Sequence, residues 1–165
     1  MKILVLSDSH SGLSFMRFAI DCVRPDTVIH LGDYYDDGQT IAQEYPHIPF
    51  YRMPGNCDKF RAPKWAPVQL CCEIGGVRLF MTHGHNHSVK LTRGRLLADA
   101  RAEGAKAALY GHTHCADCHQ EADGLWVFNP GSCGSFGGSV GLMEVEKETI
   151  KSCLILGQED LEAMK

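Results

Sequence analysis

Seven residues with metal-binding side chains stand at five places in the sequence: Asp8 with His10, Asp33, Asn56, His83, and His112 with His114. Each place follows a short apolar run and carries a nearby glycine, among them Gly12, Gly32, Gly55, Gly84 and Gly111. Glycine lets the backbone bend sharply enough to aim two side chains at one point. The donors are imidazole, carboxylate and amide, with no thiolate. That set argues against a closed structural zinc site and for a catalytic one taking manganese, iron, nickel, cobalt or zinc. Seven donors are too many for one ion and suit two, provided that one carboxylate bridges. Two ions roughly 3.5–4 Å apart are a device for in-line displacement at phosphorus.

Charge supports the same chemistry. Two dications, two aspartates and a bridging hydroxide leave a single positive charge, which suits a phosphate oxygen. Metal binding lowers the pKa of water to about 7, so the hydroxide is the nucleophile and no side-chain base is needed. The expected reaction is metal-assisted hydrolysis of a phosphoester.

The elements that must position these groups follow in order. Ile3 to Leu6 is too short for a helical face and reads as a strand buried on both sides. Leu13, Met16, Ala19, Ile20 and Val23 recur at helical spacing before Pro25. A second buried strand holds Val28, Ile29 and Leu31 and ends in Gly32-Asp33. Such a β-α-β unit crosses over right-handed and puts parallel strand ends on one edge, so Asp8, His10 and Asp33 should be neighbours. Asp36 or Asp37 is expected to cap a second helix running through Tyr45, which Pro46 stops.

Ile48 to Met53 reads as a third strand, ending at Pro54-Gly55-Asn56. Cys57 to Ala66 is a polar, proline-punctuated surface loop. A hairpin follows, Val68 to Ile74 and Val77 to Met81 around Gly75-Gly76, delivering His83. A helix is expected over Ser88 to Glu103, then a short strand over Lys106 to Tyr110 leading to Gly111-His112. Cys115 to Glu121 and Leu125 to Phe128 form a further hairpin at Asp123-Gly124. Two more strands, Val140 to Val145 and Ile150 to Leu156, precede a short acidic tail. Nothing repeats and no linker divides the chain, so one domain over residues 1–165 is expected. The pattern predicts a four-layer α/β-β/α sandwich of two mixed sheets with helices outside.

Composition excludes several classes. The net charge of −4 lacks the basic excess of a surface for a nucleic-acid polymer. No stretch nears the ~20 apolar residues of a membrane span. The apolar run near Met1 stops at Leu6, too early for a secretory signal, so a cytoplasmic location is expected. Reduced thiols are then the expectation for the eight cysteines. Cys115 and Cys118 have the spacing of a zinc or redox pair, but in a strand they point to opposite faces, so a structural role is expected.

Asp8-x-His10, Gly32-Asp33, Gly55-Asn56-Cys57-Asp58, His83 and Gly111-His112-x-His114 resemble the calcineurin-like metallophosphoesterases in order and spacing. The resemblance runs from Lys2 to about Ser132. Short length, Thr82-His83-Gly84-His85 and Asn129-Pro130-Gly131-Ser132 are similar to its small bacterial and archaeal phosphodiesterase branch. The resemblance implies that Asp8, His10, Asp33 and His114 hold one metal. It implies that Asp33, Asn56, His83 and His112 hold the second, with Asp33 as the bridge. Mn2+ is the expected ion, with Ni2+, Fe, Co2+ or Zn2+ as alternatives. It further implies a small phosphodiester substrate and a homodimer or higher homo-oligomer.

Many phosphatases of the wider superfamily have histidine where this chain has Cys57, there to help protonate the leaving group. A thiol near pKa 8.5 suits that task less well than an imidazole near 6.5. Asp33, Asn56, Cys57 and His83 are therefore the catalytic candidates, and diesters with good leaving groups the expected substrates. Asp58 is expected to orient a ligand imidazole or the Asn56 turn, and His85 to support a ligand or touch phosphate. Tyr34 and Tyr35 are candidates for stacking on an aromatic group. Lys59, Arg61 and His87 are candidates for steering an anion, and Asn129 to Ser132 for a supporting turn. The alternatives are a phosphomonoesterase acting on nucleotides or small phosphates, and a non-catalytic protein-binding scaffold such as the retromer branch of this fold.

Overall fold

A computed structural model describes residues 1–165. Strand β1 (Lys2–Leu6) is buried on both faces because its side chains alternate. Ile3 and Val5 enter one apolar cluster, Leu4 and Leu6 another. Helix α1 (Leu13–Val23) lays Phe15, Met16, Ala19, Ile20 and Val23 on the second cluster. It ends at Arg24, in the left-handed region, just before Pro25. Strand β2 (Thr27–His30) returns parallel to β1, with Leu4 opposite Val28. Helix α2 (Tyr35–Glu44) and strand β3 (Phe50–Arg52) complete the parallel part.

The second sheet begins with the hairpin of β4 (Gln69–Ile74) and β5 (Val77–Thr82). Helix α3 (Gly94–Ala102) crosses to β6 (Ala107–Leu109), parallel to β5. Strands β7 (Asp117–Gln120) and β8 (Trp126–Asn129) pair antiparallel, and β8 lies parallel to β6. The chain then returns to the first sheet with β9 (Val140–Glu146) and β10 (Thr149–Leu156) before helix α4 (Gln158–Glu162). The sheet orders are β10-β9-β1-β2-β3 and β4-β5-β6-β8-β7, both mixed.

Three apolar clusters define four layers. Ile3, Val5, Ile29 and Met143 meet Leu79, Met81, Leu109 and Phe128 between the sheets. Outside the first sheet lie α1, α2 and α4; outside the second, Leu96, Leu97 and Ala100 of α3 cover Phe80, Ala108 and Val127. This is the α/β-β/α sandwich expected from the sequence. No helix is long and apolar enough to cross a membrane.

Several boundaries differ from expectation. Helix α3 begins at Gly94 rather than Ser88, because Ser88 is left-handed (φ 55°) and closes a short turn over His85–His87. Neither Asp36 nor Asp37 caps α2; Tyr34 holds that position, and Asp37 turns inward to other partners. Strand β7 starts at Asp117, which leaves Cys115 exposed in the preceding loop. Cys118 packs against the inter-sheet cluster with its thiol on the Cys153 carbonyl at 3.2 Å. The acidic tail forms α4.

Candidate metal centre

The parallel strands of both sheets end at one edge, and there the backbone is bent in an unusual way. Asp8, His10, Asp33, His112 and His114 all have positive φ, between 41° and 68°. Left-handed residues other than glycine are uncommon, with Asp and His among the more tolerant, and they cluster where function over-determines the backbone.

Asp8 is fully buried. Its Oδ2 accepts the Ser7 hydroxyl at 2.6 Å and the His112 N–H at 3.0 Å. Its Oδ1 is buried without a hydrogen-bond donor and lies 3.1 Å from His114 Nε2 and 3.9 Å from His83 Nε2. A buried carboxylate oxygen left unpaired is costly unless a cation serves it. Asp33 follows Gly32, whose φ of 109° suits glycine alone. Its Oδ1 accepts the Cys57 N–H at 2.9 Å and stands 3.5 Å from His83 Nε2. Burial pushes the Asp33 carboxyl up, but His83 and the Cys57 N–H outweigh it and hold the group below its ordinary value.

His83 supplies the clearest argument. Its Nδ1 stands 2.9 Å from the Leu31 carbonyl, which can only accept, so Nδ1 carries the proton. Nε2 is left with a lone pair. It faces Asn56 Oδ1 at 3.1 Å as well as the two carboxylates, and the Asn56 amide nitrogen is turned to Cys57 Sγ at 3.5 Å. Burial lowers the His83 pKa against the pull of Asp8 and Asp33, which favours the neutral ring at neutral pH. Three oxygen lone pairs and one nitrogen lone pair thus converge with no proton between them, which is the environment of a cation. A backbone carbonyl fixing the far nitrogen of the ring is also how metal-binding histidines are oriented.

On the opposite side, His10 Nε2 and His114 Nε2 stand 3.3 Å apart. Ligand atoms of Asp8, His10, Asp33 and His114 all lie within 4.8 Å of one another. His112 lies with its ring 5.1 Å from that of His83, its pKa lowered by burial and then by Lys90. The structure therefore brings all seven sequence candidates to one edge, and their donor set fits divalent metal.

The supporting residues are in part those the sequence suggested. Asp58 accepts the Gly55 N–H at 2.7 Å and the Tyr35 N–H at 2.8 Å, so it fixes the Asn56 turn and touches no imidazole. Gly55 is required because a Cβ there would meet Asp33 Oδ1 and, at 2.5 Å, the Asp33 amide nitrogen. His85 lies beside the centre, its ring 5.4 Å from His83 and its Nδ1 buried without a partner. Ser132 donates to the Asp8 carbonyl at 2.8 Å, and Asn129 donates to Thr113 Oγ1 at 2.9 Å, so the Asn129–Ser132 turn clasps two ligand loops. Burial, then the Asp33 carboxylate, pushes the Cys57 thiol up.

Other candidates do not face the centre as proposed. His87 is buried against Asp99 at 3.2 Å and edge-on to Phe80, so it cannot steer a substrate. Arg61 is paired with Asp36 at 2.7 Å and lies over the Tyr34 ring. Tyr35 is buried beneath Arg52, whereas Tyr34 meets His10 edge to face at 5.0 Å.

Sequence reasoning missed a buried network under the Asp8–His10 loop. The Ser9 hydroxyl donates to Asp37 Oδ2 at 2.8 Å, and that oxygen also accepts the Ser11 N–H at 2.8 Å. His30 Nε2 lies 3.0 Å from Ser9 Oγ, and burial, then His83 and Arg52, pull its pKa down to about 3. Because the Ser9 hydroxyl proton is given to Asp37, His30 Nε2 donates to Ser9. The available signal was a lone histidine in the apolar run Val28-Ile29-His30-Leu31.

Fold and donor set together define a class, that of the metallophosphoesterases. The chain belongs to the calcineurin-like phosphoesterase superfamily, whose domain matches residues 1–148. It is 29% identical over 175 aligned positions to the phosphodiesterase MJ0936 of Methanocaldococcus jannaschii, covering 94% of this chain and 99% of that one. Among solved structures, a conserved uncharacterized protein of Streptococcus pneumoniae, a predicted phosphoesterase, superposes with a TM-score of 0.77 at 25% identity, over 96% and 90% of the two chains. Wild-type Vps29 of Entamoeba histolytica, solved with Zn2+, shares the fold with a TM-score of 0.70 at 19% identity over 94% and 98%.

Proposed function

We propose that this protein is a phosphodiesterase that works with two divalent metal ions, Mn2+ foremost, on small phosphodiesters. Asp8, His10, Asp33 and His114 would hold one ion, and Asp33, Asn56, His83 and His112 the other, with Asp33 shared. The observation that carries the reading is the convergence of unprotonated donors around the orphaned Asp8 Oδ1. When bound, such ions supply a water nucleophile at neutral pH and neutralise charge on the phosphoryl oxygens.

The residues of the chain perform the rest. Ser7 and the His112 N–H anchor Asp8, so its free oxygen keeps one direction. Leu31 fixes the His83 tautomer and the Cys57 N–H fixes Asp33. In hydrolysis, water oxygen bonds to phosphorus, one P–O ester bond breaks and the departing oxygen takes a proton. By the family resemblance Cys57 takes the place of the acid for that last step, but its raised pKa makes it a poor donor. That favours leaving groups stable as anions, and therefore activated diesters over alkyl phosphomonoesters. The reading includes a cytoplasmic location, in keeping with eight free thiols, and a homodimeric or larger assembly.

The test is hydrolysis of bis-p-nitrophenyl phosphate and p-nitrophenyl phosphate by chelator-stripped protein, titrated with manganese, nickel, zinc and magnesium. Diester turnover should require added metal and fall about 10²–10³-fold in Asp33→Ala, as for loss of a central electrostatic group. Faster monoester turnover would favour a phosphomonoesterase. Absence of turnover with every metal, in folded protein, would favour the scaffold.

A further inference from the structure

An open cleft of about 380 Å3 adjoins the centre, walled by the segment from Pro54 to Val68 and by His85. Asn56 and His85 line the cleft and adjoin His83, so the cleft opens directly beside the metal centre. Lys59 and Lys64 line this cleft, and neither makes a hydrogen bond or a salt bridge. The ammonium of Lys59 lies only over the exposed Phe60 ring, at 5.5 Å. Asp58 also lines the cleft but is buried and turned to two backbone N–H groups, and the nearby Asp36 is paired with Arg61. A chain with a net charge of −4 thus presents two exposed lysines without ion-pair partners, against one buried carboxylate, beside its centre. Unmatched charge lining a concave wall is how a site favours ligands of opposite sign.

We infer, resting on the phosphodiesterase reading, that this cleft receives one arm of the substrate and selects arms bearing a further anionic group. Lys59 and Lys64 are its specificity residues, and His85 forms the wall between the subsite and the metals.

The experiment uses three diesters that share a p-nitrophenyl leaving group. Their other aryl arm carries a 4-carboxylate, its methyl ester, or a 4-trimethylammonium group. The carboxylate should exceed the methyl ester by about fivefold in kcat/KM, mostly through KM, as two exposed charges allow. The ammonium ester should be the poorest of the three. The preference should shrink as salt rises from 50 to 500 mM and collapse in Lys59→Met/Lys64→Met. Equal kcat/KM for carboxylate and methyl ester, or a preference that survives the double substitution, overturns the subsite and leaves the phosphodiesterase standing. If no ester turns over with any metal, the phosphodiesterase reading fails. Calorimetric titration with the same esters then decides the cleft: tighter, lysine-dependent binding of the carboxylate supports it, and equal binding overturns it.

Discussion

His83 and Cys57 show how single contacts set what each residue can do. The Leu31 carbonyl accepts the Nδ1–H of His83 and leaves the Nε2 lone pair free for a metal ion. Its sequence position after a hairpin strand made it a candidate, but nothing in the sequence reveals the carbonyl that fixes its tautomer. Cys57 was legible as a departure from the usual histidine; its raised pKa comes from burial and from Asp33, which only the fold places beside it. Replacing Cys57 with His restores an acid matched to neutral pH, so turnover of an alkyl phosphomonoester, whose departing alkoxide needs a proton, should rise about tenfold or more, while that of p-nitrophenyl phosphate changes little. Parallel assays on glycerol phosphate and p-nitrophenyl phosphate check this. A folded Cys57→His enzyme with an unchanged ratio of the two rates would remove the thiol as the basis of the preference for activated esters.

At the scale of elements, the strand ends were legible because each apolar run stops at a glycine-marked turn. Their exact geometry was not, because positive φ at Asp8, Asp33 and His112 is imposed by contacts from other strands. The Asp8 N–H donates to the Gly32 carbonyl at 2.9 Å, and the Gly111 N–H to that of His83 at 3.0 Å. Helix α3 was misplaced at its start because burial of His87 against Asp99 is a tertiary event, invisible to helical periodicity. Asp37 likewise reads as a cap in sequence, yet a buried serine and a backbone N–H compete for it and win. Gly111 tests the tightness of this edge. A Cβ there would meet Ser7 Oγ and lie 2.8 Å from Asp8 Oδ2, displacing the anchored ligand. Gly111→Ala should cost about 1–3 kcal/mol by overpacking and weaken manganese binding as well, measured by urea unfolding with and without metal. Unchanged stability and unchanged metal response would contradict the anchoring role assigned to Ser7 and Asp8.

For the whole molecule, the decisive feature is that the proposed ligands come from both sheets. Asp8, His10 and Asp33 leave the first sheet and Asn56 follows its edge strand; His83, His112 and His114 leave the second. Two packed sheets were expected from the alternation of helices and hairpins. Their strand order was not legible, since β9 joins β1 across most of the chain and no local pattern encodes that pairing. Ions at this edge would tie the sheets together, so metal binding should also raise stability, by about 2.7 kcal/mol for each site at a hundredfold excess over Kd.

A shared dinuclear centre is tested most directly by the number of ions bound per chain, by native mass spectrometry and elemental analysis after loading with manganese. Two ions are expected in the wild type. One is expected in His114→Ala, which keeps Asp33, Asn56, His83 and His112 intact, and weakened binding at both positions in Asp33→Ala. A wild type that saturates with a single ion, or an Asp33→Ala protein that still holds two as tightly, would contradict a shared dinuclear centre.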